Sequence, residues 1–134
     1  MCSSGQKLEL RMGPAGGGGS KAPPTSATVI VRGEAQANVR DILCVTFFGR
    51  KLSNKEGFFS TSDPFLVISR MNEDGSYTKV WENTKIDSNL NPSWAPVRIP
   101  MIQLCNGDIE RPLRIEIWDW EKSGRHHFMG QVIS

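Results

Sequence analysis

The chain has 134 residues, 38% hydrophobic and 22% charged, with a formal net charge of +2. This is one domain's worth of sequence, too apolar to be disordered throughout, and its longest apolar runs, such as Phe65-Leu66-Val67-Ile68, fall far short of the roughly 20 residues of a membrane-spanning helix. Residues 1–27 carry the positive excess, and the remainder holds 13 basic and 13 acidic residues with no clustered basic face, so no nucleic-acid partner is expected.

The first twelve residues lack the apolar stretch of a signal peptide. Within them, Lys7-Leu8-Glu9-Leu10-Arg11-Met12 alternates apolar and polar and reads as one short strand without a neighbouring partner. Residues 13–27 are rich in glycine and proline, and the expectation for residues 1–27 is a flexible N-terminal segment and linker.

From residue 28 onward the pattern is β. Val29-Ile30-Val31 opens it, and Ile42-Leu43-Cys44-Val45-Thr46-Phe47-Phe48 follows, apolar on both faces as a central strand should be. Residues 65–70 and 77–81 form a pair of strands joined by a connector containing Asp74-Gly75, a hairpin turn signal. Residues 94–100, interrupted by Pro96 and Pro100, belong on a sheet edge. Leu113-Arg114-Ile115-Glu116-Ile117 alternates strictly, and residues 128–133 form the last strand. Seven strands with short connections and no helix predict an all-β fold, an antiparallel β-sandwich.

Three cysteines, Cys2, Cys44 and Cys105, make an odd set with no CxxC spacing. They argue against a disulfide framework or a Cys-rich zinc site, and they imply a reducing compartment with Cys44 and Cys105 as small core residues. No G-x-S-x-G is present, and adjacent His126 and His127 make neither a catalytic pair nor, with Cys105, a zinc site, because neighbouring side chains on a strand point apart. No enzymatic activity is expected.

Carboxylates gather at strand ends: Glu56 and Asp63 in one loop, Asp119 and Glu121 after the alternating strand, and Glu73 and Asp74 in the hairpin connector. In an antiparallel sandwich the first two groups can share one end, where oxygen ligands from two loops suit a hard cation. Alternatively, each acid is a solvated turn residue or a cap.

Three segments carry a family resemblance. Ser62-Asp63-Pro64-Phe65 resembles the first calcium loop of C2 domains, and Asn89-Leu90-Asn91-Pro92-Ser93-Trp94 resembles a segment from the middle of those domains. The stretch from Ile117-Trp118-Asp119-Trp120-Glu121 to Phe128-Met129-Gly130 resembles their third loop and the strand after it. Together, over residues 28–134, they are most similar to the second C2 domain of copines. The resemblance implies an eight-stranded C2 sandwich, here expected to lack its eighth strand and to be C-terminally incomplete. Residues 7–12, on their linker, have the reach to lie along the open edge. It also implies a cytoplasmic, peripheral protein that binds calcium and then the acidic phospholipid surface of the plasma membrane.

By the same resemblance, the calcium ligands are Asp63, Asp119 and Glu121, the last standing where the family has aspartate. Glu56 lies one residue from the first ligand position, which falls on Gly57. His127 occupies the fifth position with a nitrogen that calcium does not favour. Calcium is therefore expected to bind weakly. Phe58, Phe59 and Trp120 at the loop tips, with Lys55, Lys122 and Arg125 nearby, are the candidate lipid contacts. The competing reading is a calcium-independent C2 fold that contacts protein partners.

Overall fold

A computed structural model describes residues 6–11, 28–34, 40–55, 57, 60–106 and 108–134; of the side chains in the first two strands it describes Ile30 alone. Among the described residues, eight strands form two four-stranded antiparallel sheets. The first contains β1 (Gln6–Arg11), β2 (Thr28–Glu34), β3 (Ile42–Arg50) and β6 (Val97–Pro100), in the order β1-β2-β3-β6. The second contains β4 (Pro64–Met71), β5 (Tyr77–Glu82), β7 (Leu113–Asp119) and β8 (His127–Ile133), in the order β5-β4-β7-β8.

The expected seven-stranded remnant is corrected here. Gln6–Arg11 supplies the eighth strand, pairing with β2 from Gln6↔Gly33 to Arg11↔Thr28. It takes the edge of the first sheet, where residues 7–12 were expected to have the reach to lie. A second correction concerns helix: Met101–Cys105 forms one short turn of helix, α1, closed by Asn106 in the left-handed region. Five residues are too few to establish a 3.6-residue period, yet α1 buries Met101, Leu104 and Cys105.

The two sheets meet over one apolar core. Val45, Phe47 and Ile99 from the first sheet join Leu66, Ile68, Ile115 and Ile117 from the second, with Trp94 and Leu104 closing the cluster. β3 alternates in burial, with Val45 and Phe47 inward, although its sequence is apolar on both faces. The fully covered strand is β4, where Pro64 to Ser69 are all buried. It lies between β5 and β7, and its outward residues Phe65, Val67 and Ser69 line one surface cavity with Tyr77 of β5 and Arg114 and Trp118 of β7. Cys105 is free and buried, whereas Cys44 is disulfide-bonded, which corrects the expectation of two reduced core cysteines.

The β4–β5 hairpin turns as its sequence demands. Asn72 and Ser76 close it (2.7 Å), and Gly75 adopts φ 83°, a conformation that costs glycine little. The Asp74 carboxylate accepts hydrogen bonds from the side chain and backbone of Ser76, and these hold its pKa below the ordinary value.

Candidate functional site

Register sets the site. β4 begins where β7 ends, with Pro64 opposite Asp119, so the β3–β4 and β7–β8 loops leave the sandwich together. Two bonds staple them: the Trp120 N–H donates to Asp63 O (3.0 Å), and the Asp63 N–H donates to Asp119 Oδ1 (2.8 Å). The β5–β6 connection joins the same end. Ser88 N–H donates to Asp63 Oδ1 (2.7 Å) and Asn89 N–H donates to Ser62 O (3.1 Å).

The segment from Asn89 to Trp94 then crosses to the first sheet. Leu90 O and Pro92 O accept the N–H groups of Leu52 (3.0 Å) and Gly49 (2.8 Å), and Trp94 N–H donates to Phe47 O (3.1 Å). Glycine is required at position 49 because a Cβ there would lie 2.9 Å from two ring carbons of Pro92. A clasp absent from the sequence reading shapes the β3–β4 loop. Asn54 Oδ1 accepts Ser62 N–H (3.0 Å), while its amide nitrogen donates to Gly57 O and Ser60 O (2.8 Å each). An Asn and a Ser eight residues apart carry no local signal; only the folded loop brings them together.

Asp119, Glu121 and His127 converge, each offering one ligand atom with all three atoms within 4.8 Å of one another. Asp119 is fully buried; its Oδ1 is committed to Asp63 N–H, whereas Oδ2 has no hydrogen-bond partner. His127 Nδ1 stands 4.0 Å from that oxygen and 3.7 Å from Glu121 Oε1. The Asp63 carboxylate, turned toward Ser88 N–H, is not among the atoms that meet. Glu56, Phe58 and Phe59 lie outside the described residues.

Beside this cluster is an aromatic stack. His126 Nδ1 accepts Glu121 N–H (2.9 Å), which fixes the ring between Phe65 (centroids 5.1 Å apart, edge-on) and Trp120 (6.2 Å, stacked). Lys85 Nζ lies 4.7 Å from the centroid of the exposed Trp120 ring. Its hydrogen bond to Asp87 raises the Lys85 pKa, opposed by desolvation and aided by the charges of Asp87 and Asp63. Lys85 was not found from sequence, since nothing in the spacing of the β5–β6 connection marks it. Lys55, Lys122 and Arg125 are exposed around the same end.

The C2 domain family profile matches residues 42–134, from β3 to the end of β8. The chain belongs to the C2 domain family. Among solved structures, this C2 domain is similar to BON1-C2B, with 33% identity, a TM-score of 0.61, and coverage of 72% of this chain and 65% of that one. The chain thus spans about two thirds of that structure's length. The RIM C2A domain from Drosophila shares the fold at 18% identity and TM-score 0.58, with 81% of this chain and 83% of that chain covered.

C2 domains commonly bind calcium and phospholipid, so the cluster must be tested against calcium. The orphaned, buried Asp119 Oδ2 fits a cation site. The donor set does not fit calcium, which takes about six to eight oxygens at flexible distances. Here a nitrogen lies within 4.0 Å of both carboxylates, and Asp63, whose Oδ1 accepts a backbone amide, is not in the cluster.

Proposed function

We propose that this C2 domain is a peripheral membrane module that docks its loop end on acidic phospholipid, in the cytoplasm at the plasma membrane, with calcium contributing weakly. The observation that carries this reading is Trp120. It is exposed at the sandwich end where three loops converge, its ring is backed by His126, and Lys85 lies over one face. An aromatic ring presented with cationic neighbours suits the headgroup boundary of an anionic membrane. The resemblance to the second C2 domain of copines supports the same role, recruitment of a copine-like protein to membranes. Phe58 and Phe59, in the β3–β4 loop by sequence, are the further lipid contacts of this reading.

Aromatic burial outweighs single charges. Burying one large apolar side chain is worth about 1.5–3 kcal/mol, against about 1 kcal/mol for a basic residue near an anionic surface. Co-sedimentation with phosphatidylserine vesicles checks this. Trp120→Ala, or Phe58→Ala with Phe59→Ala, is expected to weaken binding more than Lys55→Ala, Lys122→Ala or Arg125→Ala. The reverse order refutes aromatic docking. Calcium-independent protein contact is the second reading, favoured by His127 lying against Glu121 and Asp119; wild-type protein that ignores vesicles with and without calcium supports it.

A further inference from the structure

We propose that Asp119, Glu121 and His127 form a site for a transition-series divalent cation of the zinc class, in preference to calcium. Its role at a membrane rests on the docking reading above, but its cation preference is read from the donor set alone.

Two independent features point to a cation. The first is the convergence of three ligand-bearing side chains within 4.8 Å. The second is Asp119 Oδ2, an unpartnered carboxylate oxygen on a residue with 0% exposure, aimed into that convergence. A buried charged acceptor left unpaired is costly, and a bound cation removes that cost.

The chemistry of the third ligand selects the cation. Two carboxylate oxygens and one imidazole nitrogen are a mixed set that zinc accepts readily, whereas calcium prefers oxygen throughout. Ligand number points the same way: three protein ligands leave one position of a tetrahedral zinc for water or a phosphate oxygen, but leave calcium far short of its shell. Tetrahedral bonds of about 2.1 Å place ligand atoms about 3.4 Å apart. The 4.0 Å and 3.7 Å separations from His127 Nδ1 therefore need closing by about 0.6 Å and 0.3 Å, and the two carboxylate oxygens, within 4.8 Å of one another, by up to about 1.4 Å. His127 is 55% exposed and Glu121 28% exposed, so both can turn, while the buried Asp119 stays fixed as the anchor.

This assembly explains why neither His126 nor Cys105 takes part. His126 Nδ1 already accepts the Glu121 N–H, and Cys105 is buried on α1. The two adjacent histidines divide the work, one positioning the Glu121 backbone and the other facing its carboxylate.

Calorimetric titration of the chelator-stripped chain with zinc, manganese or calcium alone tests the assignment. Wild-type protein is expected to bind zinc at least about tenfold more tightly than calcium, with manganese between them. His127→Ala is expected to lower zinc affinity about tenfold or more, and His127→Asp to lower zinc affinity while raising that of calcium. Both substitutions fall on an exposed side chain, and circular dichroism verifies that each variant is folded. Tighter binding of calcium than of zinc, or zinc affinity indifferent to His127→Ala, overturns the assignment. Vesicle co-sedimentation in chelator and in zinc separates the two readings. Zinc binding that depends on His127, in a protein that ignores vesicles, upholds the cation site and refutes docking. Vesicle binding without such zinc binding refutes the cation site and leaves docking standing.

Discussion

Replacing Asp119 with asparagine is expected to stabilise the metal-free protein while removing its response to cations. The side chain is fully buried, and one of its two oxygens is unpaired. An unsatisfied buried acceptor costs about 1–3 kcal/mol. Asparagine keeps an oxygen for the Asp63 N–H and places an N–H donor toward His127 Nδ1 and Glu121. It also removes the repulsion from the Glu121 carboxylate. Two charges within 4.8 Å of one another repel by about 3 kcal/mol or more at an effective dielectric near 20, and partial exposure of Glu121 with the neighbouring imidazole leaves roughly half or less of that. Against these gains, the hydrogen bond to Asp63 N–H loses its charge assistance, about 1 kcal/mol. The balance favours the variant by about 1–2 kcal/mol, a rise in Tm of roughly 4–8 °C. Thermal melts followed by circular dichroism, in chelator and in saturating zinc, measure both effects. A variant that melts below wild type in chelator would show that the carboxylate is already satisfied, and the case for a cation-seeking oxygen would collapse.

Gly49→Ala forces a Cβ to within 2.9 Å of Pro92 and 3.0 Å of Leu52, so urea unfolding should show a loss of about 1–3 kcal/mol; an unchanged midpoint would mean that the Pro92 segment yields freely. Deleting residues 1–11 removes the strand that covers β2, with an expected loss on the order of 3 kcal/mol and a tendency to self-associate, read by thermal melting and light scattering. Unchanged stability and solution mass would mean that the β1–β2 pairing adds nothing. Asp74→Asn removes a carboxylate whose folded pKa lies below its ordinary value of 3.8, so the contribution it makes is full above that value and is lost as pH falls through the lower, folded one. Urea midpoints for wild type and variant should therefore differ at pH 6, and the difference should shrink as pH falls below 3.8; a constant difference would place the effect elsewhere in the turn.

Most of the sandwich was legible because strands announce themselves by period. β7 alternates strictly, and β4 and β5 flank an Asp-Gly turn. What escaped notice depends on distance along the chain or on brevity. β1 was read as a strand that could reach an open edge, but its remote partner β2 was not, and α1 is shorter than two helical turns. At the site, Asp119 and Glu121 were legible because they follow an alternating strand, where register forces both to one end. The position of His127 was found by resemblance, but its approach to both carboxylates was not, since a position in a motif says nothing of where Nδ1 lies. Lys85, Asn54 and Ser88 act through contacts that only the folded loops create.

The same bonds that hold the sandwich together also aim its site. Asp63 N–H to Asp119 Oδ1 and Trp120 N–H to Asp63 O continue the β4–β7 ladder past its last residue pair. They bury Asp119 and present Trp120 outward in one stroke. A ladder extended by a carboxylate rather than a backbone carbonyl is the less stable choice, because it leaves Oδ2 unpaired. Asparagine would have satisfied the same backbone amide without the charge. A buried acid with one unpaired oxygen, at the position where β7 meets two loops, is the arrangement expected of the cation site proposed above, where unpaired polarity accompanies function.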